Sequence, residues 1–223
     1  MRDTCYVIIP AFNAERTLSP LLKSLSTGSG VCEVIVVDDG SRDGTADVAA
    51  AQGARVVRHG QNRGKGAALA TGITEALKDR TMGWVVTMDA DLQHDPGDLP
   101  RFFEAQLKGN AEIFVGWRRR MNTGMPLARM LSNTITSFLV SARTGCEMAD
   151  SQCGYRLIAR EVLERVSIES EGYEAETELL IKAARLGFRI AWVPIRTVYR
   201  EEPSSMTHWT TTKRFVQTLM REY

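Results

Sequence analysis

The chain has 223 residues, 43% hydrophobic and 25% charged, with 28 Lys and Arg against 27 Asp and Glu. That length suits one sizeable domain and that composition a soluble globular protein, while a net charge of +1 gives no electrostatic case for a nucleic-acid partner. No run of about 18 uninterrupted apolar residues occurs, so no membrane span is expected; residues 1–4 lead straight into a strand-like run with no signal-peptide core, so a cytoplasmic location is expected.

In chain order, the apolar, β-branched run Cys5–Pro10 predicts a first strand, followed by Ala11-Phe12-Asn13. Leu18, Leu21, Leu22 and Leu25 recur at helical spacing within 17–25. Glu33–Asp38 reads as a second buried strand; Asp39-Gly40-Ser41 turns, with Ser41 or Asp43 as cap of a helix running to about Gln52. Arg55–Arg58 is a short third strand, Gly64-Lys65-Gly66 leads into a helix through Leu77, and Trp84–Met88 is the fourth strand. Asp95-Pro96 opens another helix, with Pro96 in its first turn. The second half is less regular: strands at 111–116, 155–158 and 189–193, and helices at 127–142, 174–186 and 210–223.

Near-continuous Val/Ile runs alternating with helices imply an α/β fold, its parallel sheet covered on both faces. Ligands of such sheets bind beyond the carboxyl ends of the strands. Residues 10–13, Asp38-Asp39, Gly64-Lys65 and 89–91 all fall there, so four chemically suggestive segments converge on one rim. The whole chain, 1–223, reads as one domain, in two parts at 1–116 and 117–223.

Asp89-Ala90-Asp91 carries the sharpest chemistry. If extended structure holds through Ala90, both carboxylates face the same way. Paired hard oxygens suit Mg2+ or Mn2+, which commonly share their shell with substrate phosphates. The competing account is that acidic residues simply end the strand. Asp38 and Asp39 are placed to accept hydrogen bonds from a base or ribose, or to serve the turn. Residues 60–66 fail the Walker A spacing, yet keep glycines at a helix start, where backbone N–H groups and Lys65 can meet an anion; close helix–sheet packing explains the glycines equally. Arg118, Arg119, Arg120, Arg129 and Arg200 match phosphate oxygens bidentately, or form a solvated charge run that also suits anionic headgroups at the inner face of a membrane. The helix at 127–142 has core-facing spacing, an interfacial role being the alternative. Asp150 is a charge partner for the metal site or a turn cap. Of Glu176 and Glu178, at i and i+2, at most one enters the cleft, and Glu174, Glu176 and Glu178 belong partly to a solvated helix face. His94 is expected in a solvated loop. The cysteines Cys5, Cys32, Cys146 and Cys153 show no zinc spacing or disulfide framework.

Residues 7–15 (VIIPAFNAE), 36–45 (VVDDGSRDGT), 62–66 (NRGKG) and 88–96 (MDADLQHDP), in that order and spacing, resemble glycosyltransferase family 2, of the GT-A fold: a Rossmann-like, mostly parallel sheet with a less regular second half. Within the family, residues 91–96, Asp150 with Gly154-Tyr155-Arg156, and Val193-Pro194-Ile195 with Arg200 and Ser204-Ser205 resemble the polyprenyl-phosphate (dolichyl-phosphate) sugar transferases, although Glu201-Glu202-Pro203 replaces the usual glycine after that arginine. The resemblance implies inverting transfer from a nucleotide-diphosphate sugar (GDP- or UDP-linked) with Mg2+ or Mn2+. The favoured acceptor is a polyprenyl phosphate, the alternatives being a hydroxyl of a glycan or glycolipid, or nucleotide-sugar binding without catalysis. Carried over by position, Pro10, Ala11, Phe12 and Glu15 line the nucleotide pocket. Asp38 and Asp39 face the base, Lys65, Gly66 and Ala90 the donor, and Asp89 the ribose or metal. Asp91 and Gln93 are metal ligands, and Arg118, Arg129 and Arg200 handle phosphates. Asp150 or Glu176 is the base that a hydroxyl acceptor would need. A homo-oligomer and peripheral membrane contact are left open.

Overall fold

The computed structural model describes residues 4–26, 33–118, 127–196 and 208–221, with the side chains of 127–130 and 208–213 outside the description. Seven strands form one sheet in the order β3-β2-β1-β4-β6-β5-β7. β1 (Thr4–Ala11), β2 (Glu33–Asp38), β3 (Arg55–Arg58) and β4 (Met82–Thr87) are mutually parallel, as the apolar runs demand: Val7, Ile8, Ile9, Ile35, Val36, Val37, Val85 and Val86 are fully buried. β5 (Ile113–Arg118) and β7 (Ile190–Ile195) pair in parallel. Between β4 and β5 runs β6 (Arg156–Ala159), antiparallel to both, so the sheet is mostly parallel with one reversed strand.

The helices are α1 (Glu15–Ser26), α2 (Thr45–Ala51), α3 (Lys65–Leu77), α4 (Leu99–Leu107), α5 (Leu127–Thr144), α6 (Arg160–Arg165), α7 (Ala175–Arg185) and α8 (His208–Met220). Helix α3 packs across β1, β2 and β4, and α4 against β5 and β7. Asp95 begins the turn into α4 as foreseen, its carboxylate accepting the Gly97 N–H at 2.8 Å, with Pro96–Asp98 in a 3-10 turn. Neither Ser41 nor Asp43 caps α2 directly: the helix starts after Gly44, Asp43 accepts the Thr45 N–H at 3.1 Å, and the Ser41 hydroxyl serves the Asn13 N–H at 2.9 Å. Helix α5 runs two residues past the expected Ala142 and stops at Gly145, which adopts φ +70°. Helix α6 was not anticipated; its six residues are too few to show a period.

Behind the middle of the sheet's edge, Tyr155 and Phe102 are fully buried with ring centroids 4.6 Å apart, each such ring contributing about 2 kcal/mol by burial.

Candidate active site

At the end of β1, Pro10 and Ala11 pair with Val37 and Asp38 of β2. The chain then turns through Asn13 at φ +50°, a conformation Asn tolerates because its short side chain bonds locally. The turn is knitted to the segment after β2: Asn13 Oδ1 accepts the Arg42 N–H (2.9 Å), Thr45 Oγ1 accepts the Ala14 N–H (2.8 Å), and Glu15 Oε2 accepts the Gly44 N–H (3.1 Å). Glu15 thus binds the neighbouring loop. Phe12 stands out from this braced turn, 48% exposed, a large apolar ring at the carboxyl rim of the sheet.

Asp38 and Asp39 are both buried. Asp38 Oδ1 accepts the Ser41 N–H at 2.9 Å; Arg58 Nε lies 3.0 Å from Oδ2, close enough to pair charges but outside hydrogen-bond geometry. Asp39 Oδ1 meets His59 Nδ1 (2.7 Å) and the Arg63 N–H (2.9 Å), while Oδ2 accepts the Gly64 N–H (2.8 Å). Asp39 therefore organises residues 59–64, the loop that delivers Lys65. The helix start at Gly64–Gly66 differs from the expectation of free anion-binding amides. The Gly66 and Ala67 N–H groups donate to the Glu171 carbonyl at 2.7 and 3.3 Å, and a Cβ on Gly66 would collide with the Ser170 carbonyl. The glycines let loop 170–172 approach the helix; Gly66 itself is a packing residue.

The side chain of Lys65 joins the two halves of the rim. Its Nζ is 2.5 Å from Asp89 Oδ1 and 2.9 Å from Glu176 Oε1. Burial works against the ammonium, but Asp89 and Glu176 outweigh it and hold the Lys65 pKa above its ordinary value. Burial likewise opposes the Asp89 carboxylate; the Lys65 charge reverses that and leaves it at about 2. Gly154 borders the same cluster: a Cβ there would sit 2.5 Å from Glu176 Oε1 and 3.0 Å from Asp89 Oδ2. Glycine here leaves the carboxylates room.

Strand β4 ends at Thr87, so the alternation argument for Asp89 and Asp91 fails. The loop instead turns through Leu92 at φ +61°, with Asp91 Oδ1 accepting the Gln93 N–H at 2.9 Å. His94 folds back beneath it, contrary to the expected solvated position: it is buried, accepts the Asp89 N–H on Nδ1 at 3.3 Å, and lies 5.2 Å from the Tyr155 ring. Burial depresses its pKa to about 4, the negative Asp89 only partly opposing, so the ring is neutral at pH 7 and Nδ1 is free to accept. Asp89 and Asp91, from one loop, offer hard oxygens that fit Mg2+ or Mn2+ in partnership with a substrate diphosphate; no three His, Cys, Asp or Glu side chains among the described residues are grouped to hold an ion by themselves. Ala90 between them is buried, and Gln93 is half-buried beside them.

On the far side, Arg118 at the end of β5 grips Asp150 with two parallel bonds, Nε to Oδ2 at 2.7 Å and Nη2 to Oδ1 at 2.8 Å. Asp150 is thus a charge partner, for the arginine. Arg156, which the sequence marks only as part of the family resemblance, is almost fully buried and donates to three carbonyls: Cys153 (2.8 Å), Glu176 (2.6 Å) and Ser151 (3.1 Å). It ties the Asp150–Gly154 segment to the start of α7. Of the glutamates of α7, Glu176 enters the cleft, while Glu178 turns away to accept the Glu169 and Ser170 N–H groups and pair with Lys182. Glu174, Glu176 and Glu178 are all buried; none lies on a solvated face. The Arg129 side chain, Arg119, Arg120 and Arg200 lie outside the described residues, as does Cys32; Cys5, Cys146 and Cys153 carry free thiols.

A mostly parallel sheet with an acidic loop, a lysine and an arginine meeting at its carboxyl rim is the arrangement of a GT-A glycosyltransferase. Residues 6–167 match the model of Glycosyl transferase family 2, and the chain belongs to that family. It is 30% identical over 218 residues to a UDP-N-acetylglucosamine–dolichyl-phosphate N-acetylglucosaminyltransferase of Methanococcus voltae, covering 88% of this chain and 86% of that one. It is 34% identical over 205 residues to an undecaprenyl-phosphate mannosyltransferase of Micrococcus luteus, covering 87% and 83%. Among solved structures, glucosyl-3-phosphoglycerate synthase of Mycobacterium tuberculosis, with Mn2+, UDP and glucosyl-3-phosphoglycerate bound, superposes with a TM-score of 0.76 at 28% identity, covering 98% of this chain and 79% of that one.

Proposed function

We propose that the protein catalyses metal-dependent, inverting transfer of a sugar from a nucleotide diphosphate to a polyprenyl phosphate. The observation that carries the acceptor is the state of the two carboxylates eligible to act as a base. Asp150 is committed to Arg118 through both oxygens, and Glu176 is paired with Lys65. A hydroxyl acceptor needs a carboxylate to take its proton, and each of these two is already engaged with a fixed cation; a phosphate oxygen is already ionised and needs none. The named polyprenyl-phosphate transferases among the relatives support the same reading.

Phe12 offers its exposed face to the base, and Asp38 and Asp39 hold the loops around it. Asp89 and Asp91, with Gln93 beside them, are the residues that would hold Mg2+ or Mn2+; a structural neighbour solved with Mn2+ and UDP bound supports a divalent ion. The ion would neutralise charge on the leaving diphosphate. Lys65 anchors Asp89 in its ionised form and adds a fixed positive charge at the same place. Arg118, oriented by Asp150, presents a guanidinium to a phosphate from the acceptor side.

A hydroxyl acceptor remains the second reading, favoured by the neighbour crystallised with glucosyl-3-phosphoglycerate. The deciding experiment incubates UDP-, GDP- and dTDP-sugars with Mn2+ or Mg2+, alone, with a short, water-soluble polyprenyl phosphate, or with phosphoglycerate. Nucleotide release stimulated by the lipid phosphate supports the proposal; stimulation by phosphoglycerate and not by the lipid overturns it.

A further inference from the structure

Four large apolar side chains of α5 stand in solvent: Leu131 (62% exposed), Ile135 (49%), Phe138 (70%) and Leu139 (40%). At about 100° per residue they fall on one stripe, which the exposed Ala142 continues. They are not the unpacked side of a loose helix. The opposite side is fixed: Val140 is fully buried, Ser137 Oγ accepts the Ser151 N–H at 3.1 Å, and Ser141 Oγ accepts the Met148 N–H at 2.9 Å. Helix α5 is thus anchored to the segment that carries Asp150. At its far end Arg143 donates to the Leu219 and Arg221 carbonyls at 3.1 and 3.2 Å, joining α5 to α8, where Val216 and Met220 are also exposed, at 44% and 77%.

The charge content of these two helices is one-sided. Acids nearly equal bases over the whole chain, yet α5 and α8 contain no Asp or Glu; they contain Arg129, Arg143, Lys213 and Arg214. An exposed apolar stripe on an acid-free, basic helix pair is the pattern of a helix lying in a lipid interface. No helix among the described residues is long and apolar enough to cross a membrane. We propose that α5, with the adjoining end of α8, docks on an anionic lipid surface. Its functional meaning rests on the polyprenyl-phosphate reading: α5 is bonded through Ser137 to Ser151, next to Asp150, so the docked helix is the one that borders the segment holding the Arg118–Asp150 pair.

The test is vesicle flotation of the full chain, with pure phosphatidylcholine and with about one-third phosphatidylglycerol, a level that gives the surface a negative potential. The expected result is flotation with the anionic vesicles that weakens as NaCl is raised, and a drop of roughly tenfold or more in the Leu131→Ser/Phe138→Ser double variant, whose unfolding curve stays that of the wild type because both side chains are exposed. Wild-type protein that stays at the bottom of the gradient with both vesicles overturns the proposal, and flotation indifferent to lipid charge overturns its electrostatic basis. Sedimentation showing a dimer that the double variant converts to monomer, without vesicle binding, reassigns the face to self-association and overturns it as well. Turnover of a water-soluble short-chain polyprenyl phosphate separates the two claims: the double variant keeps that turnover if docking alone is lost. Wild-type protein that floats but cannot use the short acceptor keeps the docking and refutes the polyprenyl-phosphate reading.

Discussion

The two sides of the rim are built by different means. Around β1 and β2 the loops are held by short polar side chains that accept backbone N–H groups a few residues away or on the adjacent loop: Asp38 to Ser41, Asp43 to Thr45, Asn13 to Arg42, Asp39 to Arg63 and Gly64. On the other side the chain is held by long cationic side chains that bridge distant segments: Lys65 to Glu176, Arg118 to Asp150, Arg156 to three carbonyls of two segments. The first method makes a stiff shelf for a ligand. The second places buried or half-buried charge at the junction, where the loss of one partner leaves the others without compensation. Lys65 belongs to both, since Asp39 shapes the loop that delivers it and Asp89 and Glu176 receive it.

The largest expected effect falls on the junction. Asp89→Asn removes the charge that a cation and Lys65 share, while its amide keeps the volume. Turnover of donor with Mn2+ should fall by roughly 10^2–10^3-fold, a loss of the order seen when a developing charge loses its preorganised partner, with the fold intact by circular dichroism. Turnover within about threefold of wild type would show that this carboxylate does not take part.

Arg156→Met tests the second building method by itself. Methionine fills the space but takes the Arg156 donors from the Cys153 and Ser151 carbonyls, and the second donor from the Glu176 carbonyl, which keeps its own helical bond in α7, at about 1–3 kcal/mol for each unsatisfied group, part of it relieved by relaxation. Urea unfolding should therefore show a loss of about 3 kcal/mol or more. A loss under about 1 kcal/mol would mean that the three bonds do not hold the acceptor side together.

This contrast also explains what could be read without coordinates. The first four strands, their helices and the convergence of residues 10–13, 38–39, 65 and 89–91 on one rim follow from periodicity and turn chemistry, which are local. The partners of Lys65 and Arg118 lie 111 and 32 residues away, and nothing in a local pattern links them. The reversed strand β6 was hidden for the same reason: four residues carry no sign of their direction. The glycines at 64 and 66 leave two accounts open because a helix start that greets an anion and one that greets a carbonyl require the same residue. His94 misled because Asp, Pro and Gln surround it in sequence, whereas the chain reversal at Leu92 puts it beneath the loop against Tyr155.

That burial makes His94 a probe of the junction's acid limit. Its folded pKa of about 4 lies below the ordinary 6.5, so the unfolded chain binds the proton more readily. Stability is full above pH 6.5 and declines as the pH falls toward 4, with a further loss below 3.8 as Asp89, depressed to about 2, protonates. Between pH 7 and 5 the His94 contribution is about 2 kcal/mol, from 1.36 kcal/mol per pKa unit. The difference in urea stability between those pH values should shrink by that amount in His94→Asn. An unchanged pH dependence would place the proton uptake elsewhere.

The smallest effect belongs to the shelf. Phe12 is half exposed and the turn beneath it is held by Asn13, Ser41 and Thr45, so Phe12→Ala should change stability by no more than about 0.5 kcal/mol, as for a surface site. If the ring stacks on the donor's base, its loss costs about 1 kcal/mol of binding, near the lower end for base–aromatic contacts. The KM for donor then rises about fivefold while kcat holds, because the contact is equally present before and during transfer. A fall in kcat at constant KM would move Phe12 from nucleotide binding to the reacting end of the donor. That would make the shelf a part of the chemistry and erase the division of labour between the two rims.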